Sequence, residues 1–477
     1  MFAAVLNSLL DFFVRVERIL WGPWTILFIA GVSVYLTVRS RFFQFRHFRM
    51  IVRATFGRIF EKINLQKGGR MTPFQAVSTA LAGTVGMGNI AGVATALSVG
   101  GPGAIFWMWV FALLSMMSKT AEITLAVHYR EVDDQGNLHG GRMYTIRKGL
   151  GWNPLAVAFI LGIFINSLLT ASLLQAHTVG RAFLSTFQLS PYITTAGMAA
   201  VTGIVVIGGI RRIGRLSAKL VPFMAVLYVL IGLVILVVKA NEIPGVLQAI
   251  LKLALAPAPA VGGFIGASVA SAVKNGMNRG MLSNEAGLGT APMAHATAET
   301  PHPFQQGLWG IFEVFVDTIV ICSITALAIM TTGALASGRS GIELVIEAFS
   351  GVFPGQTASL LISVCILTFC LTTQIGFFIY YETAVVDIFG RKMMPYLKWL
   401  YLVPGVIFAG FSNVDRLWVL ASVSVGVCAI PNLIAVLALS GAFFRLLRDF
   451  LEGRNEYATR TVDRTREYVR SPRKRKT

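Results

Sequence analysis

Four glycines, Gly83, Gly86, Gly88 and Gly92, crowd the middle of an apolar stretch, residues 81–109, that is long enough to cross a bilayer. A helix interrupted at membrane depth leaves amides and carbonyls without partners, which is tolerated only where they face protein, water or a ligand. The amides opening a half-helix make an anion site, so the backbone around Met87, Gly88 and Asn89 is placed to hold a carboxylate without a buried arginine. The carbonyls freed by such a break, joined by hydroxyls, suit a hard alkali cation. Two plainer readings stand beside these: Asn89 as a simple cap of its half-helix, and the glycines as small-residue helix contacts. A second group, Gly262, Gly263 and Gly266 in AVGGFIGAS, interrupts a later apolar run, with Phe264 beside it as a pocket wall, a gate or ordinary packing.

Few other polar groups stand at depth. Gln175 in LLQAHTVGRAF reads as a substrate contact or as interhelical glue. Lys119 and Glu122, three apart, most simply pair with one another. Glu313 and Asp317 lie one turn apart; an acid at that depth is a proton site or a structural hydrogen-bonding group, and the second reading is preferred. Glu285 in SNEAG falls past the end of its apolar run, as an inner gate or network residue rather than a substrate contact.

These groups need spans to carry them. With 477 residues, 55% of them hydrophobic and 13% charged, the chain has more apolar surface than one soluble core buries, which makes it an integral membrane protein. Apolar runs of spanning length number eleven, near 22–38, 73–97, 103–127, 154–180, 193–209, 220–239, 260–280, 307–333, 357–381, 397–412 and 416–441. Residues 5–20 are amphipathic and suit an interfacial helix better than a cleaved signal. Cys322, Cys365, Cys370 and Cys428 all fall inside spans and read as packing residues.

The net charge of +19 is not spread evenly: residues 39–70 hold nine Lys/Arg against one acid, and 445–477 hold eleven against five. Basic segments alternate with uncharged loops, so the positive-inside rule places the N-terminus outside and the C-terminus inside. No basic module interleaved with aromatics suggests nucleic acid. The organisation follows: 1–70, interfacial helix, extra span and basic loop; 71–239, five spans; 240–441, five more; 442–477, a basic tail. Five spans per half force the second half to enter the membrane from the opposite side. The glycine breaks then open both halves, marking a central site in a secondary transporter.

The runs GMGNIAGVATAL (86–97), GGPGAIFWMW (100–109), IGGIRRIGRLSAKLVPFMA (207–225) and NRGMLSNEAGLGTAP (278–292), in this order, resemble the alanine or glycine:cation symporter family. The resemblance implies a leucine-transporter-like, all-α membrane fold of eleven spans. Ten form two inverted five-helix repeats with broken first and sixth core helices. It implies sodium-coupled import of a small neutral amino acid across a prokaryotic inner membrane. The carboxylate would lie on the amides of Met87 and Gly88, with Asn89, Gln175, Phe264, Gly266 and Phe377 completing the substrate site. The sodium ligands would be the carbonyls of Ala82 and Val85 and the side chains of Thr372 and Thr373, unless those threonines only bond back within their own helix. Ser283, Asn284 and Glu285 would form a gate or structural network. Partners implied are the amino acid, sodium and the bilayer, with no organic cofactor and no nucleic acid; the oligomeric state is left open, a monomer among the options.

The chain departs from the family pattern at four places: Met87 for a hydroxyl residue, His177 for Asn, Gln374 for an apolar residue and Phe377 for Trp. Gln374 and Phe377 are expected to face or adjoin the pocket. The rival readings are proton-coupled transport and an intramembrane enzyme, but no nucleophile–base pair, metal cluster or nucleotide loop accompanies the buried acids. A channel lacks its ring-forming filter.

Overall fold

The computed structural model describes residues 2–59, 71–132, 137–256, 268–411, 414–454 and 456–457. The chain opens with α1 (Phe2–Leu20) and α2 (Pro23–Arg39), whose axes differ by 42°. Trp21 fixes this corner by donating its indole N–H to the Ser422 carbonyl, 3.0 Å away. Two short helices, α3 (Phe43–Arg46) and α4 (Phe48–Ala54), follow.

Thr72 starts α5 (Pro73–Thr84) with a complete capping box to Gln75 and a proline at the first helical position. The helix ends at the extended Val85, and the chain resumes as a π-helical turn, Gly88–Gly92, running into α6 (Val93–Gly100). The two halves diverge by 50°, so the glycine break expected in this span is present. Next come α7 (Gly103–His128), a hairpin pairing Glu131–Val132 with Leu138–His139, and α8 (Arg142–Leu150).

α9 (Asn153–Asn166) and α10 (Gln175–Phe187) are one span joined through a π-helical stretch, Ser167–Leu174. Then follow α11 (Pro191–Ile207), α12 (Gly209–Val238) and α13 (Ile243–Ala254). α14 (Val269–Asn284) and α15 (Ala291–His295) precede a second π-containing span, α16 (Pro303–Val314) through Phe315–Cys322 to α17 (Ser323–Thr331). The chain closes with α18 (Gly341–Ser350), α19 (Thr357–Phe389), α20 (Met394–Ile407), α21 (Val414–Ala438) and α22 (Ser440–Glu452).

The described residues are thus nearly all helical, and six helices are long and apolar enough to cross a membrane, or eight when each bent pair counts as one span. α7 is the most deeply buried of these spans. α12 instead turns Phe223, Val226, Leu230, Val234 and Val237 outward, as a lipid-facing helix does.

Gly262, Gly263, Phe264 and Gly266 lie outside the described residues. An interruption is seen at 285–290 between α14 and α15. There Glu285 adopts the left-handed conformation (φ 54°), and Gly287 (φ 93°) and Gly289 (φ 82°) follow. Two glycines at positive φ cannot continue a helix, and the SNEAGLG motif therefore forms a break of its own.

Candidate functional site

The break in the first interrupted helix redirects three backbone groups. In an unbroken helix the Gly86 amide would bond the Ala82 carbonyl; here it donates to Asn89 Oδ1 at 2.9 Å. The Met87 amide donates to Gln175 Oε1 at 3.3 Å. The Asn89 amide bonds the Gly86 carbonyl instead of that of Val85. Val85 then accepts from the Thr373 hydroxyl of α19, 3.2 Å away.

Glycine is required where α19 and α10 close on this turn. A Cβ on Gly86 would stand 2.5 Å from Thr373 Oγ1 and 3.3 Å from Gln175 Oε1. One on Gly83 would meet Tyr380 at 3.3 Å and Phe377 at 3.4 Å. Phe377 is buried and lies edge-on to Tyr380, with ring centroids 5.0 Å apart.

Phe369, Thr372 and Thr373 give this corner a set of hard oxygens. Both hydroxyls lie 2.9 Å from the Phe369 carbonyl. Thr373 also reaches across to Val85, whereas Thr372 bonds the Thr368 carbonyl at 2.8 Å and meets Met224 Sδ at 3.1 Å. Carbonyl and hydroxyl oxygens converging from two helices are the donor set an alkali cation uses. The Phe369 carbonyl is a member that sequence reasoning missed; its only signal is the spacing, three and four residues before the threonine pair.

Asn89 is more than a cap. Its amide donates to Asp317 Oδ1 (2.6 Å) and to the Asp317 carbonyl (3.2 Å), and its own carbonyl accepts from Thr325 (2.8 Å). Asp317 Oδ2 accepts from Ser283 (2.7 Å) and Thr318 (2.9 Å), and Asn284 donates to Thr318 at 3.0 Å. Asp317, fully buried, therefore ties the first break to the second through hydrogen bonds to Asn89 and Ser283. A Cβ on Gly88 would lie 3.3 Å from Ser283 Cα, so the two interrupted segments meet backbone to backbone.

Lys119 and Glu122 do not pair with each other. Lys119 donates to the Asn284 carbonyl at 2.6 Å and forms an ion pair with Glu313 at 3.1 Å. Glu313 also bonds His295, whose other nitrogen meets Gln306 at 2.8 Å. Glu122 Oε1 accepts from the Gly287 amide (2.8 Å) and from Asn432 (2.9 Å). The break at 285–290 strips carbonyl and amide partners from the backbone, and the two charges of α7 supply replacements. Glu285 falls just past the end of α14, as expected, accepts from Thr290 within the same turn at 2.5 Å, and is buried inside the molecule.

Gln374 turns away from this centre. Its side-chain oxygen accepts from Thr202 of α11 at 2.7 Å, and its backbone carbonyl from Tyr401 at 2.7 Å. It packs between helices and does not adjoin the pocket. His177 donates to the Phe411 carbonyl at 2.8 Å. A cavity of about 460 Å³ opens beside the far end of α19, lined by His139, Tyr144, Met293, Thr297, Ile379 and Asp387 among others. Arg147 closes part of its rim on Asp387 through two hydrogen bonds of 2.5 and 2.8 Å.

Residues 6–464 match the sequence profile of the sodium:alanine symporter family. The chain is 36% identical to the sodium/alanine symporter AgcS of Methanococcus maripaludis over 93% of its own length and 97% of that protein's. It is 35% identical to the probable sodium/glutamine symporter GlnT of Bacillus subtilis, covering 91% and 88% of the two. Its fold is similar to that of MhsT solved with L-phenylalanine, with a TM-score of 0.58 at 13% identity over 79% of this chain and 90% of that one. Two interrupted helices meeting at a buried polar centre agree with that fold and with transport rather than catalysis. The chain is a multi-pass membrane transporter and belongs to the sodium:alanine symporter family.

Proposed function

We propose that this chain is a sodium-coupled symporter that carries a small neutral amino acid, such as alanine or glycine, into a prokaryotic cell by alternating access. Its core is read as ten helices in two inverted fives, preceded by the extra span α2. The N-terminus lies outside and the C-terminus inside. The amino acid's carboxylate takes the Met87 and Gly88 amides, with Gln175 adjusting as it enters. Phe377 bounds the side-chain end of the pocket, and sodium sits among the oxygens of Ala82, Val85, Phe369 and Thr373, with Thr372 beside them and bonded back within α19. The 460 Å³ cavity along α19 is the route to the cytoplasm.

One observation carries the reading: the Thr373 hydroxyl lies on the Val85 carbonyl at 3.2 Å, two residues before Met87, whose amide and that of Gly88 open the next half-helix. A cation and a carboxylate bound so close stabilise one another, and neither site is complete while the break is undone. Each ligand therefore favours binding of the other, which is the coupling a symporter needs. Asp317, the acid that would serve proton coupling, has both carboxylate oxygens engaged by Asn89, Ser283 and Thr318, which supports sodium. The test is binding of labelled alanine to purified protein with and without sodium. Sodium should tighten binding at least tenfold, and sodium-independent binding would reject the proposal.

A further inference from the structure

At the end of α2 the backbone does something costly. Arg41 (φ 56°) and Phe42 (φ 55°) are consecutive left-handed residues, and neither is glycine. Such residues persist only where the surroundings over-determine them. The Arg41 amide bonds the Val38 carbonyl at 2.8 Å and the Phe42 amide bonds that of Thr37 at 2.9 Å. Gln44, buried just beyond, donates to Thr37 and to the Leu113 carbonyl. This hook turns the chain out of the spanning helix and lays α3 and α4 across its end.

The segment has two faces. Phe43, Gln44, Ile51 and Thr55 are buried against the protein, with Phe43 edge-on to Phe304 of α16 at 5.3 Å. Phe42, Phe45 and Phe48, spaced three apart, are each about half exposed. Interleaved with them are Arg41, Arg46, Arg49 and Arg53, all exposed. Residues 39–54 contain five arginines and no acid. Aromatic rings at the end of an apolar helix, set among arginines, match a membrane interface in which rings sit at headgroup depth and guanidinium groups meet phosphate.

We infer that residues 39–54 form a docking surface for anionic phospholipid, the arginines taking the headgroup phosphates and Phe42, Phe45 and Phe48 entering the leaflet. Basic charge alone would not need the hook; the strained turn is what points the rings outward while Phe43 and Gln44 hold it to the body. An arginine near an anionic surface contributes about a fivefold change in affinity, so neutralising three should weaken the interaction on the order of 100-fold.

The test uses the full-length protein in detergent, titrated with short-chain phosphatidylglycerol, short-chain phosphatidylcholine or inorganic phosphate, with thermal stability as readout. Phosphatidylglycerol should raise the melting temperature at the lowest concentration. Arg41→Gln/Arg46→Gln/Arg49→Gln should lose most of this response, and so should Phe42→Ser/Phe45→Ser/Phe48→Ser. Arg41→Lys/Arg46→Lys/Arg49→Lys, which keeps the charge, should retain it, as should the distant Arg211→Gln/Arg212→Gln/Arg215→Gln. An unchanged response in the two hook variants, an equal loss in the distant one, or a wild-type response to phosphate alone equal to that for the lipid would each overturn the inference. Should a hook variant fail to fold, the lysine variant and the comparison of lipid with phosphate on wild type still decide.

Discussion

Thr373 and Thr372 are neighbours of the same chemical type, yet the structure gives them unequal parts. The Thr373 hydroxyl spans two helices, 2.9 Å from the Phe369 carbonyl and 3.2 Å from that of Val85. It has one proton and cannot satisfy both, so a cation between these oxygens relieves two carbonyls facing one donor. Thr372 bonds Thr368 and Phe369 within α19 and meets Met224 Sδ across a helix boundary. Losing a polar contact to a charged group costs about 1.5–3 kcal/mol, so Thr373→Ala should raise the sodium concentration for half-maximal uptake roughly 10- to 150-fold. Losing an ordinary hydrogen bond costs about 0.5–1.5 kcal/mol, so Thr372→Ala should raise it roughly two- to tenfold. Thr373→Ser should lie near wild type. The assay is uptake of labelled alanine into proteoliposomes at fixed substrate and varied sodium, with protein content measured in each preparation. Equal sodium dependence in the two alanine variants, or no shift for Thr373→Ala, would refute the assignment.

Gly86→Ala should abolish sodium-dependent binding while the protein still inserts, because the added methyl would stand 2.5 Å from Thr373 Oγ1; wild-type binding in that variant would mean that α5 and α19 are not held this close. Gln175→Ala should weaken alanine binding roughly tenfold or more in an equilibrium assay without a transport step, since the side chain that holds the Met87 amide in the empty site is proposed to turn to the substrate when the carboxylate takes that amide. Asp317→Asn keeps an acceptor for Asn89 and lets the Ser283 and Thr318 hydroxyls reverse, so uptake should fall less than about tenfold with its sodium dependence unchanged, whereas Asp317→Ala strands three donors and should destabilise the protein in a thermal-shift measurement. Phe377→Trp enlarges a ring already packed on Gly83 and should shift competition toward glycine and alanine and against larger neutral amino acids; an unchanged profile would place residue 377 outside the pocket.

The first break was legible because its glycines interrupt an unmistakable apolar run; the structure adds that Thr373 and Gln175 leave no room for a Cβ at Gly86. The break expected at Gly262–Gly266 lies outside the described residues, and an interruption is seen after Asn284. The apolar run fades near residue 280 and Glu285 does fall past the end of its helix, yet Asn284 and Glu285 are both buried and bonded inside the bundle. Hydropathy cannot register polar residues that satisfy one another across helices. The same limit explains Lys119 and Glu122: spacing of three permits a local pair, but the backbone freed at 284–287 competes for both charges and wins. The π-helical stretches at Ser167–Leu174 and Phe315–Cys322 left no periodic signature, yet they set the positions of Gln175 and Asp317. Gln374 was polar on a helix expected to face the pocket, and only the position of Thr202 shows that it faces the other way.

The central claim is that downhill sodium entry drives amino-acid accumulation through this chain. It is tested most directly in proteoliposomes containing only the purified protein, by following labelled alanine after an inward sodium gradient is imposed at equal pH on both sides. A transient internal concentration of chemically unchanged alanine above the external one is expected, abolished when the gradient is collapsed with a sodium ionophore and insensitive to a proton uncoupler. Accumulation driven equally by a proton gradient without sodium, or uptake that never exceeds equilibration, would contradict it.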